Sequence, residues 1–261
     1  MEDLESRLTD FLSTPARQAA VVEETGHRPW PLPDREWLQA QTWERLLFAH
    51  WRVSAEELRA HVPEECPLDT FDGSAWLAVT PFRLSGLRIR GLLPVPHFSS
   101  FLELNVRTYV KLEGKAGIYF FSLDAESLFA VEAARRLYRL PYFRARMAAQ
   151  NLGHETDFTS ERTEGRRATL RLHYRPSGTP SAPEPGSLEH FLTERYCLFT
   201  LHEGRVHWAQ IHHPPWPLQE AEGEVGENTM PPPGIELSGD PVCHFSARQD
   251  VVLWGLEPFE P

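Results

Sequence analysis

Lysine is nearly missing from this chain. Of 26 basic residues only Lys111 and Lys115 are lysines; the rest are arginines. Arginine stays protonated and forms no Schiff base, so lysine-type covalent chemistry has only those two side chains and the amino terminus as candidates. Cysteine is scarce as well: Cys66, Cys197 and Cys243 are widely spaced, odd in number and form no CxxC pair. That excludes a disulfide framework and fits inert thiols in a reducing cytoplasm. No apolar run is long enough to cross a bilayer. The acidic start MEDLESRL lacks a basic region followed by an apolar core, so no secretory signal is expected. The formal charge of −11 leaves little basic surface for phosphates and argues against a nucleic-acid partner. GxGxxG, Walker, GxSxG and HExxH motifs are all absent, so nucleotide binding and the familiar hydrolase mechanisms have no support and no cofactor is expected.

What is present fits a large core. The 261 residues are 41% hydrophobic and include 8 tryptophans. One fold of this size buries roughly 70–75% of its unfolded surface and needs no metal or disulfide. An amphipathic stripe of Leu4, Leu8, Phe11 and Leu12 predicts a helix over 2–12, and RPWPLPD at 28–34 separates it from the main body. The expected organisation is an N-terminal helix and linker over 1–35, a main domain over 36–225, and an acidic, proline-containing segment over 226–261 that is docked or partly flexible.

Within the main domain about nine strands are expected. Trp43 to Val53 reads as a buried strand, and Ser54 with Glu57 has capping-box spacing for a short helix. Strands are expected over 74–82, 101–111 and 118–124, the last two joined by a tight turn at Glu113-Gly114-Lys115. A helix is expected over 125–138, ended by Pro141. Two further hairpins turn at Glu164-Gly165 and Glu203-Gly204, and PSGTPSAPEPG at 176–186 reads as an exposed loop. Many strands and few helices predict an α+β, β-dominated fold with a curved, mostly antiparallel sheet or barrel.

The run FLELNVRTYVK at 101–111 carries the functional signal. Leu102, Leu104, Val106 and Val110 form an apolar face, and Glu103, Asn105, Arg107 and Tyr109 form the other. With a two-residue turn, the polar face also receives Phe120, Ser122 and Asp124 from the next strand. That next strand, IYFFSLD, has aromatics on both faces, which implies cover on both sides. Glu103 and Arg107 then project into the protein, where charges need partners. Three readings stay open here: an internal Glu–Arg pair, a face simply solvated, or a pocket in which Arg107 holds an anionic group and Glu103 acts as acid or base.

Other constellations are weaker. His207 and His212 fall on opposite strand faces and His213 diverges again, which is poor chelate geometry, so no metal site is expected. His50 reads as a core histidine. His97 precedes the polar strand and is placed at the mouth of the pocket. Tyr109, Tyr138 and Tyr142 have hydroxyls that suit a pocket cap, and Asp69 and Asp72 build a turn. Lys111 shares the parity of Arg107 but lies next to the turn, where lysines are normally solvated.

Six segments carry a family resemblance: LLFAHWRV (46–53), LDTFDGSAWLAVTPF (68–82), LELNVRTYV (102–110), GIYFFSLDA (117–125), LYRLPYFRARM (137–147) and HHPPWPL (212–218). In this order they resemble the YqjF-like family of uncharacterised proteins, which is similar to the acetoacetate decarboxylase superfamily. The resemblance implies one curved, barrel-like domain with an internal cavity. It also implies a departure in chemistry. The decarboxylases carry a Schiff-base lysine in a Pro-Lys-Lys motif, and the corresponding stretch here is Pro141-Tyr142-Phe143. Glu103 has a counterpart among the carboxylates lining the decarboxylase cavity.

The expectation is therefore a small acidic or carbonyl ligand in a polar pocket, with conversion by non-covalent acid/base chemistry. Glu103 and Arg107 are the candidate catalytic pair, and Asn105, Arg107, Ser122, Tyr109 and His97 the candidate binding residues. The alternative is a non-enzymatic sensor or interaction module using tryptophan-rich loops such as HHPPWPL. Self-association into a homo-oligomer stays open.

Overall fold

The computed structural model describes residues 2–95 and 98–260. Twelve strands form one sheet in the order β12-β9-β8-β4-β3-β2-β1-β11-β10-β7-β6-β5. They are β1 (Gln39–Val53), β2 (Ala75–Ile89), β3 (Phe101–Leu112), β4 (Lys115–Ala125), β5 (Tyr142–Leu152), β6 (Glu155–Arg162), β7 (Thr169–Ser181), β8 (Cys197–His202), β9 (Arg205–His212), β10 (Leu218–Asn228), β11 (Val242–Leu253) and β12 (Glu257–Pro258). Four α-helices accompany them: α1 (Glu2–Ala20), α2 (Ala55–Arg59), α3 (Leu128–Tyr138) and α4 (Leu188–Thr193). The fold class is the expected one, a strand-dominated α+β architecture built on a large curved sheet.

Two extra pairings bend this sheet back on itself. β4 pairs in parallel with β5, and β9 pairs with β11. The first closes a circuit of nine strands and the second a circuit of seven, and both circuits share β1, β2, β3, β4 and β11. The shared strands are therefore covered on both faces, and β3 is buried at every position from Phe101 to Val110. One face meets a core containing Leu47, Leu77, Leu104, Val106, Phe158 and Leu172. The other meets the core of the smaller circuit, with Trp76, Tyr109, Leu198, Ile211 and Val251.

Local chemistry sets the turns. Glu113 and Gly114 both have positive φ, 46° and 76°, so β3 and β4 join through a two-residue turn whose twist matches a hairpin. Glu203 and Gly204 repeat the device at 51° and 71°. Ser54 and Ser187 cap α2 and α4 by accepting from Glu57 N and His190 N. Arg45 at φ 50° interrupts the β1 ladder, so both Trp43 and Leu46 reach the same interior.

Several boundaries differ from expectation. The N-terminal helix runs on past Leu12 to Ala20 because its second half docks on the sheet, where Gln18 donates to Thr42 Oγ1 and the Gly86 carbonyl, both at 3.1 Å. Gly86 admits that contact: a Cβ there would stand 2.8 Å from Thr14 Cγ2. The proline-rich 176–186 stretch is partly β7, paired with β10 as far as Ser181. The boundary expected at 225/226 falls inside β10, and the acidic C-terminal segment contains β11, paired to β1 at eleven positions from Gln39 to His50. The prolines at 231–233 mask this continuity, since they break the local pattern but not the tertiary pairing.

Candidate functional site

A cavity of about 100 Å³ lies inside the smaller circuit. All seven strands of that circuit contribute to its wall, and α3 covers it with Ala130, Ala133, Ala134 and Tyr138. The three polar residues of β3 face it together: Glu103, Asn105 and Arg107 are each less than 10% exposed and all line the cavity. Tyr142, just after the α3–β5 connection, donates its hydroxyl to Glu103 Oε1 at 3.2 Å. Each of the three β3 residues keeps an unpartnered polar atom, Glu103 Oε2, Asn105 Oδ1 and Arg107 Nε, and Tyr138 adds its hydroxyl.

Electrostatics separate the two charged groups. Burial pushes the Glu103 carboxyl up to about 8, against the bond from Tyr142, and the negative charge of Asp124 adds to the rise. Glu103 is therefore mostly protonated near neutral pH. Arg107 sits 5.3 Å from the Phe48 ring centroid and 6.0 Å from that of Tyr109. Those aromatic faces are worth roughly 0.5–2 kcal/mol each to a cation. No ion pair reaches Arg107 among the described residues, so the internal Glu103–Arg107 pair is not formed. Four residues along a strand separate their Cα atoms by roughly 13 Å, beyond direct pairing.

Two expected members fall elsewhere. Ser122 does not share the face of Glu103. The β3–β4 register shifts between Val106 and Arg107, with Arg107 opposite Phe120 but Val106 opposite Ser122. The extra residue, Phe121, makes a β-bulge, and a bulge swaps the faces beyond it. Leu123 takes the place in the cavity wall, while Ser122 and Asp124 turn to the larger circuit, where Asp124 accepts from Arg162 at 2.6 Å. Tyr109 keeps the face of Arg107 but stands outside the cavity, its hydroxyl 2.7 Å from His50 Nε2. His50 is fully buried, and desolvation followed by the charge of Arg107 holds it well below its usual value, hence neutral. His97 lies outside the described residues.

The lysines stand away from the cavity. Lys111 is exposed and Lys115 places its Nζ 4.7 Å from the Trp30 ring centroid. The position where the decarboxylase resemblance would put a lysine holds Tyr142, the partner of Glu103. The HHPPWPL segment is not a surface loop. Trp216 is buried, stacks on Trp43 at 5.8 Å and meets Phe48 edge-on at 4.9 Å. His212 and His213 are buried too; His212 Nε2 donates to the Val21 carbonyl oxygen at 2.8 Å, and burial pushes its pKa down to about 3. Gln39 and Gln41 were not foreseen as lining residues. Their signal was an alternation of glutamines with Ala40 and Thr42 just before an apolar strand.

Comparison with known proteins places these observations. Residues 40–250 match the family DUF2071, described as "Uncharacterized conserved protein". The uncharacterized protein YqjF of Bacillus subtilis is 45% identical over 227 residues, covering 86% of this chain and 94% of that one. An acetoacetate decarboxylase from Legionella pneumophila superposes with a TM-score of 0.60 at 11% identity, over 92% of this chain and 95% of its own. The enduracididine biosynthesis enzyme MppR, complexed with pyruvate, superposes with a TM-score of 0.59 at 10% identity, over 88% of this chain and 93% of its own. At such identities the likeness is one of fold: the chain has an acetoacetate decarboxylase-like architecture.

Proposed function

The chain belongs to the DUF2071 family, and on that premise we propose that it binds a small acidic or carbonyl compound in the β3 cavity and converts it by non-covalent acid/base chemistry. One observation carries the reading: a buried guanidinium without an acidic partner among the described residues faces the same cavity as a carboxyl group that keeps its proton. Arg107 is suited to hold a carboxylate by charge-assisted hydrogen bonds. Glu103, protonated near neutrality, gives its proton to the carbonyl oxygen, and its carboxylate then takes the proton from the neighbouring carbon, whose C–H pair becomes the C=C bond of the enol. Asn105 orients the ligand, and Tyr142 holds Glu103 in place. With aromatic Tyr142 and Phe143 after Pro141 and both lysines away from the cavity, the chemistry runs without an imine. The cavity, about 100 Å³ with Phe129 and Leu137 at an end that reaches the surface, suits a small molecule. MppR, of the same fold and solved with pyruvate, supports a ligand of that class. The three cysteines are free and buried, in keeping with work in a cytoplasm.

A thermal-shift screen against small oxo acids, dicarbonyls and hydroxy acids tests the reading, with Arg107→Met as the paired control. A ligand that raises the melting temperature of the wild type and not of the variant supports it. Equal shifts in both proteins would remove Arg107 from the site.

A non-enzymatic ligand sensor is the second reading. It is favoured by exposed apolar side chains, Leu92, Leu93, Val95 and Phe98 before β3 with Leu128 and Phe129 on α3, joined where the Phe98 and Phe129 rings meet at 6.0 Å. Phe129 also lines the cavity, so this patch reaches the cavity mouth. Ligand binding without turnover, tracked by loss of substrate signal in NMR over hours, would select the sensor.

A further inference from the structure

The cavity is charged on the β3 wall, carries Gln39, Gln41 and Thr80 on β1 and β2, and is mostly apolar toward β8, β9, β11 and α3. Glu103 and Arg107 are the only charged residues that line it among the described residues, and both come from β3. Leu198, Ile211 and Leu253 form an aliphatic wall from β8, β9 and β11. α3 presents Ala130, Ala133, Ala134 and Leu137, the i, i+3, i+4, i+7 spacing of one helix face. Three alanines there leave open space that larger side chains would fill. Phe129 and Leu137 line the cavity and yet are 62% and 50% exposed, so its apolar end reaches the surface beside α3.

A ligand no larger than pyruvate would engage the β3 wall and leave this apolar region without contact, and unfilled apolar space forfeits dispersion and hydrophobic stabilisation. We propose that the ligand is a 2-oxo acid or similar small acid with an aliphatic tail longer than a methyl group. Its head lies at Arg107 and Glu103, and its tail runs along Ala133 and Ala134 toward Phe129 and Leu137. This rests on the reading of the β3 wall as an anion site and adds the substrate class. The alanines of α3 set the tail length that fits.

Calorimetric titration of the full chain with straight-chain 2-oxo acids, from pyruvate to 2-oxooctanoate, tests it. Affinity is expected to rise about fourfold per methylene until the tail passes Leu137. Ala133→Leu is expected to flatten that rise. Leu137→Ala, at the exposed end, serves as the second variant if Ala133→Leu melts early, and is expected to weaken only the longest acids. Arg107-dependent binding that is flat or declines with chain length overturns the tail and leaves the anion site standing. A rise that neither α3 variant changes also overturns the placement. Absence of binding at every length, in wild type and variants alike, overturns both readings together.

Discussion

The β3–β4 hairpin carries buried charge on both of its faces, and the two faces handle it in opposite ways. On the side of the larger circuit, Asp124 accepts from Arg162 Nε and Nη2, at 2.9 Å and 2.6 Å, with side chains 0% and 3% exposed. Arg162 also lies 4.2 Å from the Phe143 ring centroid. That pair is closed and paired within the protein. On the side of the smaller circuit, Glu103 and Arg107 face a cavity, unpaired with each other. A buried charge pair within bonding reach is a structural element, whereas an unpaired guanidinium and a protonated carboxyl beside empty space are, on the function proposed above, the place for a ligand. The contrast comes from one residue: the bulge at Phe121 sends Asp124 to Arg162 and away from Glu103.

The comparison breaks most visibly at the closed pair. Asp124→Asn leaves Arg162 buried without its counter-ion and is expected to cost about 3–5 kcal/mol of stability, read by urea denaturation. A loss comparable to a surface substitution would mean that the pair is solvated. Next comes the open side. Arg107→Met removes an unpaired buried cation, so the folded state is expected at least as stable as wild type, while ligand protection vanishes. At ligand concentrations of 100 Kd that protection is about 2.7 kcal/mol, read as a shift in melting temperature. If Arg107→Met instead unfolds the protein, the two faces are alike and Arg107 is structural.

The pH dependence sharpens the contrast further. Burial puts the Glu103 carboxyl at about 8 in the fold, against the ordinary 4.5 of the unfolded chain. Between those values the folded state holds a proton that the unfolded state has released. Stability therefore falls as pH rises through this window, by up to about 1.4 kcal/mol per pH unit from this group, and levels off above the folded value. Glu103→Gln is expected to remove that slope, measured by denaturation from pH 5 to 9. An unchanged slope would place its origin elsewhere. The smallest effect is expected at the cover of the cavity. Ser127 accepts from Ala130 N and caps α3, so Ser127→Ala should cost about 1 kcal/mol and speed hydrogen exchange in α3 ahead of β3.

Much of this was legible locally. The β3 alternation, the tight turn at Glu113-Gly114 and the cap at Ser54 follow from residue-level preferences and appear as read. The doubly aromatic β4 announced that both faces would be covered, and they are. The place of Ser122 was not legible, because a bulge breaks the period of two without any glycine or proline to mark it. β11 was hidden because most of its pairing is with β1, far away in sequence. Trp216 looked like a loop anchor because neighbouring prolines resemble a surface turn, whereas its indole fills the wall behind Trp43 and Phe48.

The sequence by itself determined that β3 would be amphipathic, that its polar face would be enclosed, and that no lysine would stand where the decarboxylase resemblance calls for one. Those properties depend on side-chain identity and strand period, which are local. Only the tertiary structure decided which charges meet. Closure of the sheet through β4–β5 and β9–β11 created two interiors, and the bulge at Phe121 divided Asp124 from Glu103 between them. Pairing across such distances is a balance of burial and hydrogen bonding over the whole sheet, and no segment of the chain carries that balance alone.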